Sequence, residues 1–238
     1  MHRSFTNIVF KLSCLIILSF FINCASDDDG GPADENPTDP GSGEVAATYN
    51  LELTTSFTEI ENPQDYPTNA SFGTIVAIVH APEISVYRLG QIASDGMALY
   101  AESGDVEGLA AFIGASLGQN TDGLFSITTG GTVGAESSVT TSVSVTPVRS
   151  RITYLARLNP SPDWFLGVSD FDVVDGNTLI DMAELPLQPI DAGVVLGDTY
   201  EANGGSENAT IDIYNGAPFG NGNSTAQPIA TLSIERMN

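Results

Sequence analysis

Ser161-Pro162-Asp163-Trp164-Phe165-Leu166-Gly167-Val168 stands two thirds of the way along the chain, and Asp191-Ala192-Gly193 follows 28 residues after Asp163. Just before this stretch, Ile152, Tyr154, Ala156 and Leu158 alternate with Arg151, Thr153 and Arg157. That is the period-two pattern of a strand with one face buried. Working outward, Tyr49, Leu51 and Leu53 alternate with Asn50, Glu52 and Thr54, and Val143 with Val145, Ile211 with Ile213, and Leu232 with Ile234 repeat the pattern. Residues 75–79 form a continuous apolar run ending at His80, which suits a central strand covered on both faces. Val106, Leu109, Ile113 and Leu117 recur instead at helical spacing, with Asp105 placed as N-cap, and a weaker helix is predicted over residues 94–102. Gly130-Gly131, Asn203-Gly204-Gly205 and residues 215–224 mark loops. Many short strands with glycine-rich turns predict an all-β fold, a sandwich or barrel, and the roughly 190 residues involved suit a single domain.

The octapeptide and the Asp-Ala-Gly segment together resemble the core signature of the spondin domain, in which Ser161, Pro162, Asp163, Trp164, Phe165, Gly167 and Gly193 occupy motif positions. The resemblance extends outward through Tyr49-x-Leu-x-Leu, the strand ending at His80, Ala93-Ser94-Asp95-Gly96 before a short helix, and Phe171-Asp172-Val173-Val174-Asp175-Gly176. It implies an antiparallel β-sandwich similar to C2 domains with one or two short helices, an extracellular role in attachment, and a bound calcium ion. The family's calcium-binding aspartates correspond to Asp163 and Asp191. Counting back along the preceding strand sets Ser144 where the family has a glutamate, Val195 stands where a second aspartate often follows Asp-Ala-Gly, and Val174 replaces a cysteine. Calcium takes six to eight oxygen ligands, so the missing carboxylate implies a weaker site, in which Glu136 or a carbonyl would have to substitute.

The N-terminus reads as an export signal over residues 1–23: positive charge at Arg3 and Lys11, an uncharged run over residues 12–22, then Cys24. The run is too short for a membrane span, which needs roughly 20 apolar residues. Cys24 resembles the acylated cysteine of bacterial lipoproteins, although Asn23 stands where a small residue is usual, and lipidation there would hold the chain on a membrane. Residues 24–46 carry almost no large apolar side chain and read as a disordered acidic tether. Their Asp27-Asp28-Asp29 run resembles signals that send lipoproteins to the outer face of the outer membrane. The folded domain is expected over residues 47–238. Cys14 is the only other cysteine, so a disulfide in that domain is excluded. Thirty acidic residues follow position 24; against the five basic residues left after the signal they set a formal charge of −25. Nucleic acid is therefore an unsuitable partner.

Catalytic readings fare poorly on the residues. His80 is the only histidine beyond the signal, so a zinc cluster built on several histidines is excluded, and a serine triad built on Ser161 has only His80 to serve as base and no Gly-x-Ser-x-Gly turn. Carboxylate pairs such as Asp170 with Asp172, or Asp181 with Glu184, arise by chance among thirty acids. Trp164, the single tryptophan, is expected to pack in the core. Arg149, Arg151 and Arg157 read as a solvated strand face before a patch for anions. Asn69, Asn208 and Asn223 begin glycosylation sequons that a bacterial lipoprotein does not use by default. The leading expectation is a surface-displayed outer-membrane lipoprotein, a non-enzymatic module for adhesion or recognition of a glycan, matrix or envelope partner, assisted by calcium. The alternative is a structural subunit of the envelope facing the periplasm, and an enzyme acting on extracellular polymers ranks third.

Overall fold

Period-two burial sets the first strand. In a computed structural model that describes residues 46–116, 125–201, 204–219 and 226–237, β1 (Ala47–Thr55) buries Ala47, Tyr49, Leu51, Leu53 and Thr55 on one side. Burial of each large apolar side chain contributes about 1.5–3 kcal/mol, and a one-residue slip would turn all of them to solvent, so the register is strongly specified. Cys24, the expected signal and nearly all of the tether, with Leu117, Asn203 and Asn223, lie outside the described residues.

The described strands continue as β2 (Ser71–His80), β3 (Phe125–Gly134), β4 (Ser138–Val145), β5 (Arg151–Asn159), β6 (Trp164–Asp172), β7 (Val174–Asp175), β8 (Thr178–Leu179), β9 (Met182–Leu187), β10 (Ile190–Asp191), β11 (Asp212–Ile213) and β12 (Ala230–Arg236). Two antiparallel sheets hold most of them. One has the order β4-β1-β12-β9, the other β11-β10-β6-β5-β2-β3, and β7 with β8 forms a small hairpin apart. The central core lies between the sheets and contains Tyr49, Leu51, Ile75, Tyr154, Trp164, Leu166, Leu232 and Ile234. An antiparallel β-sandwich with short helices is the fold.

A second core covers the outer face of the six-stranded sheet. Val76, Ile78, Leu155 and Phe165 pack there against Met97, Tyr100, Ala101, Leu109 and Ile113 from α1 (Asp95–Ser103) and α2 (Val106–Ser116). This explains the unbroken apolar run of β2: alternate residues enter different cores. Both helices start where the sequence predicts. Ser94 Oγ accepts from Met97 N (3.2 Å) and Asp105 Oδ1 from Gly108 N (2.9 Å), satisfying N–H groups that have no partner within their helix. Gly104 ends α1 in the left-handed region. The Ile211/Ile213 alternation yields only the two-residue β11. The reason is that Ile211 N bonds Gln91 O and Thr210 bridges Ile92, so this segment is shared with the loop before α1.

Candidate functional site

Ser161 builds the turn between β5 and β6. Its hydroxyl donates to Leu158 O (2.7 Å) and accepts from Trp164 N (3.2 Å), and the side chain is buried. It is spent on local structure and is not a nucleophile in waiting. The turn presents Asp163, which is 0 % exposed. Asp163 Oδ2 accepts from Val194 N (2.7 Å) and Val195 N (3.0 Å), while Oδ1 is buried with no N–H or hydroxyl donor among the described residues. β10 pairs with the start of β6 so that Asp191 lies opposite Trp164, next to Asp163, with the two carboxyls in mutual hydrogen-bonding reach.

Each motif residue now has a physical task. Asp191 Oδ1 accepts from Gly193 N (2.8 Å), closing a tight turn. Gly193 has φ of +69°, and a Cβ there would sit 2.5 Å from Ala209 O, so only glycine fits. A Cβ on Gly167 would lie 2.7 Å from Tyr154 O of the neighbouring strand. Pro162 packs against Gly197. Trp164 stacks on Tyr214 at 4.7 Å and meets Tyr200 and Phe219 edge-on, which is the expected core role. Phe165 points to the other face, edge-on to Tyr87.

Burial pushes the Asp163 carboxyl up, offset by the Val195 and Val194 N–H groups, with Glu207 and Glu102 adding repulsion. Burial and the Asp163 charge raise Asp191 to about 6. Two carboxyls this close, one with a buried oxygen lacking a donor, call for a shared proton or a cation. Beside them lies a hollow of about 540 Å³ lined by Asp191, Asp198, Thr199, Glu207 and Tyr214. Burial and these acids raise the Tyr214 hydroxyl to about 12. Oxygen-only donors suit a hard divalent cation. Asp163 and Asp191 would anchor it, and carbonyls or water would have to complete its shell, because no cluster of three or more metal-binding side chains occurs among the described residues.

The remaining sequence candidates fall elsewhere. Ser144 lies on β4, paired with Thr48 in the four-stranded sheet. It is exposed while its neighbours Val143 and Val145 enter the core, so position 144 points away from the sheet that carries the aspartates. Glu136 is exposed and its charge acts on Tyr66. Val195, where an aspartate was expected, serves Asp163 through its backbone N–H. His80 is fully buried; its Nδ1 lies 3.0 Å from Ala81 O and its Nε2 2.9 Å from Thr153 Oγ1, and burial pulls its pKa down. It is a core histidine.

The arginine face is solvated only in part, with Arg149, Arg151 and Arg157 all half-buried. Arg151 pairs with Asp172 at 3.1 Å, and Arg157 turns inward because the second core covers that side of β5. Its guanidinium donates to Ala101 O and Glu102 O at the end of α1, to Ser161 O and to Asn159 Oδ1. Asp181 pairs with Arg236 and Asp170 faces His80 and Arg88, so these acids are engaged in ion pairs. Sequence reasoning missed Arg157, Glu102 and Glu207 as electrostatic neighbours of Asp163. None belongs to a local motif.

The family model Spondin_N matches residues 47–219, well over half the chain. Human Spondin-2 is 28 % identical over 165 residues, covering 68 % of this chain and 50 % of that protein. Spondin-2 of Rattus norvegicus is 26 % identical over 160 residues, covering 66 % and 48 %, and Spondin-1 of the same species 26 % over 165, covering 66 % and 20 %. The chain thus spans half or less of the length of these relatives. On the family-model match over residues 47–219, the chain belongs to the spondin N-terminal domain family.

Proposed function

We propose that this chain is an exported bacterial lipoprotein, anchored through Cys24 and displaying its spondin-type sandwich outside the outer membrane as a non-enzymatic module for adhesion or recognition. Membership of a family whose named members are spondins is the observation that carries the reading. The fully buried cores leave recognition to the loops, where a rigid scaffold commonly presents binding groups. Calcium held by Asp163 and Asp191 orders the loops beside them; when bound it neutralises two adjacent carboxylates. The partner is a glycan, matrix or envelope component and not nucleic acid, given a formal charge of −23 over the whole chain.

Protease treatment of intact cells tests this. Surface display requires the domain to be digested on whole cells, and Cys24→Ala should release the chain from the membrane fraction. A domain that survives treatment until the outer membrane is broken would support the periplasm-facing structural subunit instead, and retention of the Cys24→Ala chain on the membrane would refute the anchor.

A further inference from the structure

His80 ends β2 fully buried, and both of its ring nitrogens have fixed partners. The Ala81 carbonyl can only accept, so His80 Nδ1, 3.0 Å away, carries the ring proton. Nε2 of the neutral ring is then an acceptor, and the Thr153 hydroxyl, 2.9 Å away, donates to it. Thr153 Oγ1 in turn accepts from Asp170 N (3.2 Å). One member of the cluster is left over. Asp170 Oδ1 is buried, has no hydrogen-bond partner among the described residues and lies 3.6 Å from His80 Nε2. The cluster is short of one donor, and a single proton on Nε2 supplies it.

The backbone fixes Asp170 in this place. β5 and β6 shift register between Ile152 and Tyr154, and Asp170 takes the left-handed region with φ of +56°, which aspartate and asparagine tolerate better than most residues. Arg151 Nη1 donates to its carbonyl (3.0 Å). The second carboxylate oxygen, Oδ2, meets Arg88 Nε at 3.9 Å, and the Arg88 side chain is 64 % exposed. Arg88 Nε also donates to Ser85 Oγ (3.0 Å). Asp170 therefore stands between a buried histidine and an exposed arginine. It is partly exposed itself, which gives a solvent proton a route to the ring.

We propose that His80, Asp170 and Arg88 form an acid-operated latch. With His80 neutral, the Asp170 carboxylate holds the Arg88 side chain. A proton arriving from solvent at Nε2 makes the ring an imidazolium, whose new N–H donates to Asp170 Oδ1; the carboxylate is drawn inward and Arg88 is released. Ser169 Oγ donates to Tyr87 O (2.7 Å), so the loop backbone stays in place and only the side chain is freed. Arg88 lines a hollow of about 400 Å³ with Tyr87, Leu89, Asp170, Gln188 and Ile213, and acid turns its neutralised rim into a cationic one. Among the described residues, the charges that act on the ring are Asp170 and Arg151. Asp172 pairs with Arg151 (3.1 Å), Tyr87 on the loop feels the Asp170 charge, and β3 sets the uncharged Phe125 opposite His80. Burial lowers the His80 pKa against the Ala81 carbonyl and the Asp170 charge, so the latch opens below the ordinary 6.5.

Nitrogen NMR of the full-length chain in detergent, labelled in histidine and arginine, reads both ends of the latch, with the His80 signal assigned by its loss in His80→Gln and the Arg88 signal by its loss in Arg88→Lys. At pH 8 the His80 ring should be neutral and protonated on Nδ1, and it should titrate below pH 6.5 while the chain stays folded. Asp170→Asn keeps a residue suited to the positive φ and should move that titration down by about one pH unit, because a neutral amide attracts the imidazolium far less. Arg88 Nε should gain mobility as His80 titrates in the wild type and be mobile at every pH in Asp170→Asn. A titration unchanged by Asp170→Asn overturns the role of the carboxylate. A ring that stays neutral until the chain unfolds, or an Arg88 signal indifferent to the titration, overturns the latch.

Discussion

Asp191 illustrates how one residue ties site to stability. Its folded pKa of about 6 lies above the ordinary 3.8, chiefly through burial and then the Asp163 charge. A raised carboxyl favours the folded state while protonated, so this contribution is full below about pH 4 and is lost as pH rises through about 6. Asp191→Asn should flatten that part of the pH profile of thermal unfolding. Calcium bound as proposed would compete with the same proton, so stabilisation by added calcium should grow across this interval and vanish in Asp163→Asn. A ligand at 100 times its dissociation constant adds about 2.7 kcal/mol; a melting temperature indifferent to calcium at pH 7.5 would remove the ion from the proposed function. His80 acts with the opposite sign, since its lowered pKa gives stability that is present above about pH 6.5 and lost on acidification. The difference between wild type and Asp191→Asn isolates the carboxyl.

The helices are the elements with the thinnest local support. α2 buries only Leu109 and Ile113 fully, so its cap matters. Asp105→Ala removes the acceptor for Gly108 N and should cost about 1 kcal/mol, read as a lowered urea midpoint with an unchanged slope. The same cap was legible in the chain because capping is local: the acceptor and the N–H it serves lie three residues apart. β1 and β12 were legible for a similar reason, since period two needs only neighbours along the strand. β5 was half legible. Its alternation was evident, but Arg151 and Arg157 could be assigned to water or to protein only once a second layer was known to cover that face.

At the scale of the molecule, the last strand closes the sandwich. β12 lies between β1 and β9, outside the residues 47–219 matched by the family model, and buries Leu232 and Ile234 completely. A chain ending after residue 219 leaves β1 paired with β4 alone, separates β9 from the sheet and opens the central core. Loss of cooperative unfolding in urea is the expected result, whereas a sharp two-state transition would show that the sheet closes without β12. The closure joins residues near 50 to residues near 235, which also explains why the fold depends on contacts far apart in sequence.

The chain by itself determined the alternation of β1, β4, β5 and β12 and the starts of both helices, because periodicity and capping are properties of neighbouring residues. The choice of a sandwich and the two aspartates came from the resemblance carried by the contiguous signature, and Gly130-Gly131, read as a loop, lie inside β3. Only the tertiary structure decided which charges meet. Glu102, Arg157 and Glu207 converge on Asp163 through helix packing and the path of the loop after β10. Ser144 turns outward through the facing of a different sheet, and His80 and Asp170 face each other although they stand on β2 and β6. Sheet order and loop paths are set by the sum of many weak distant contacts, and no spacing along the chain encodes that sum.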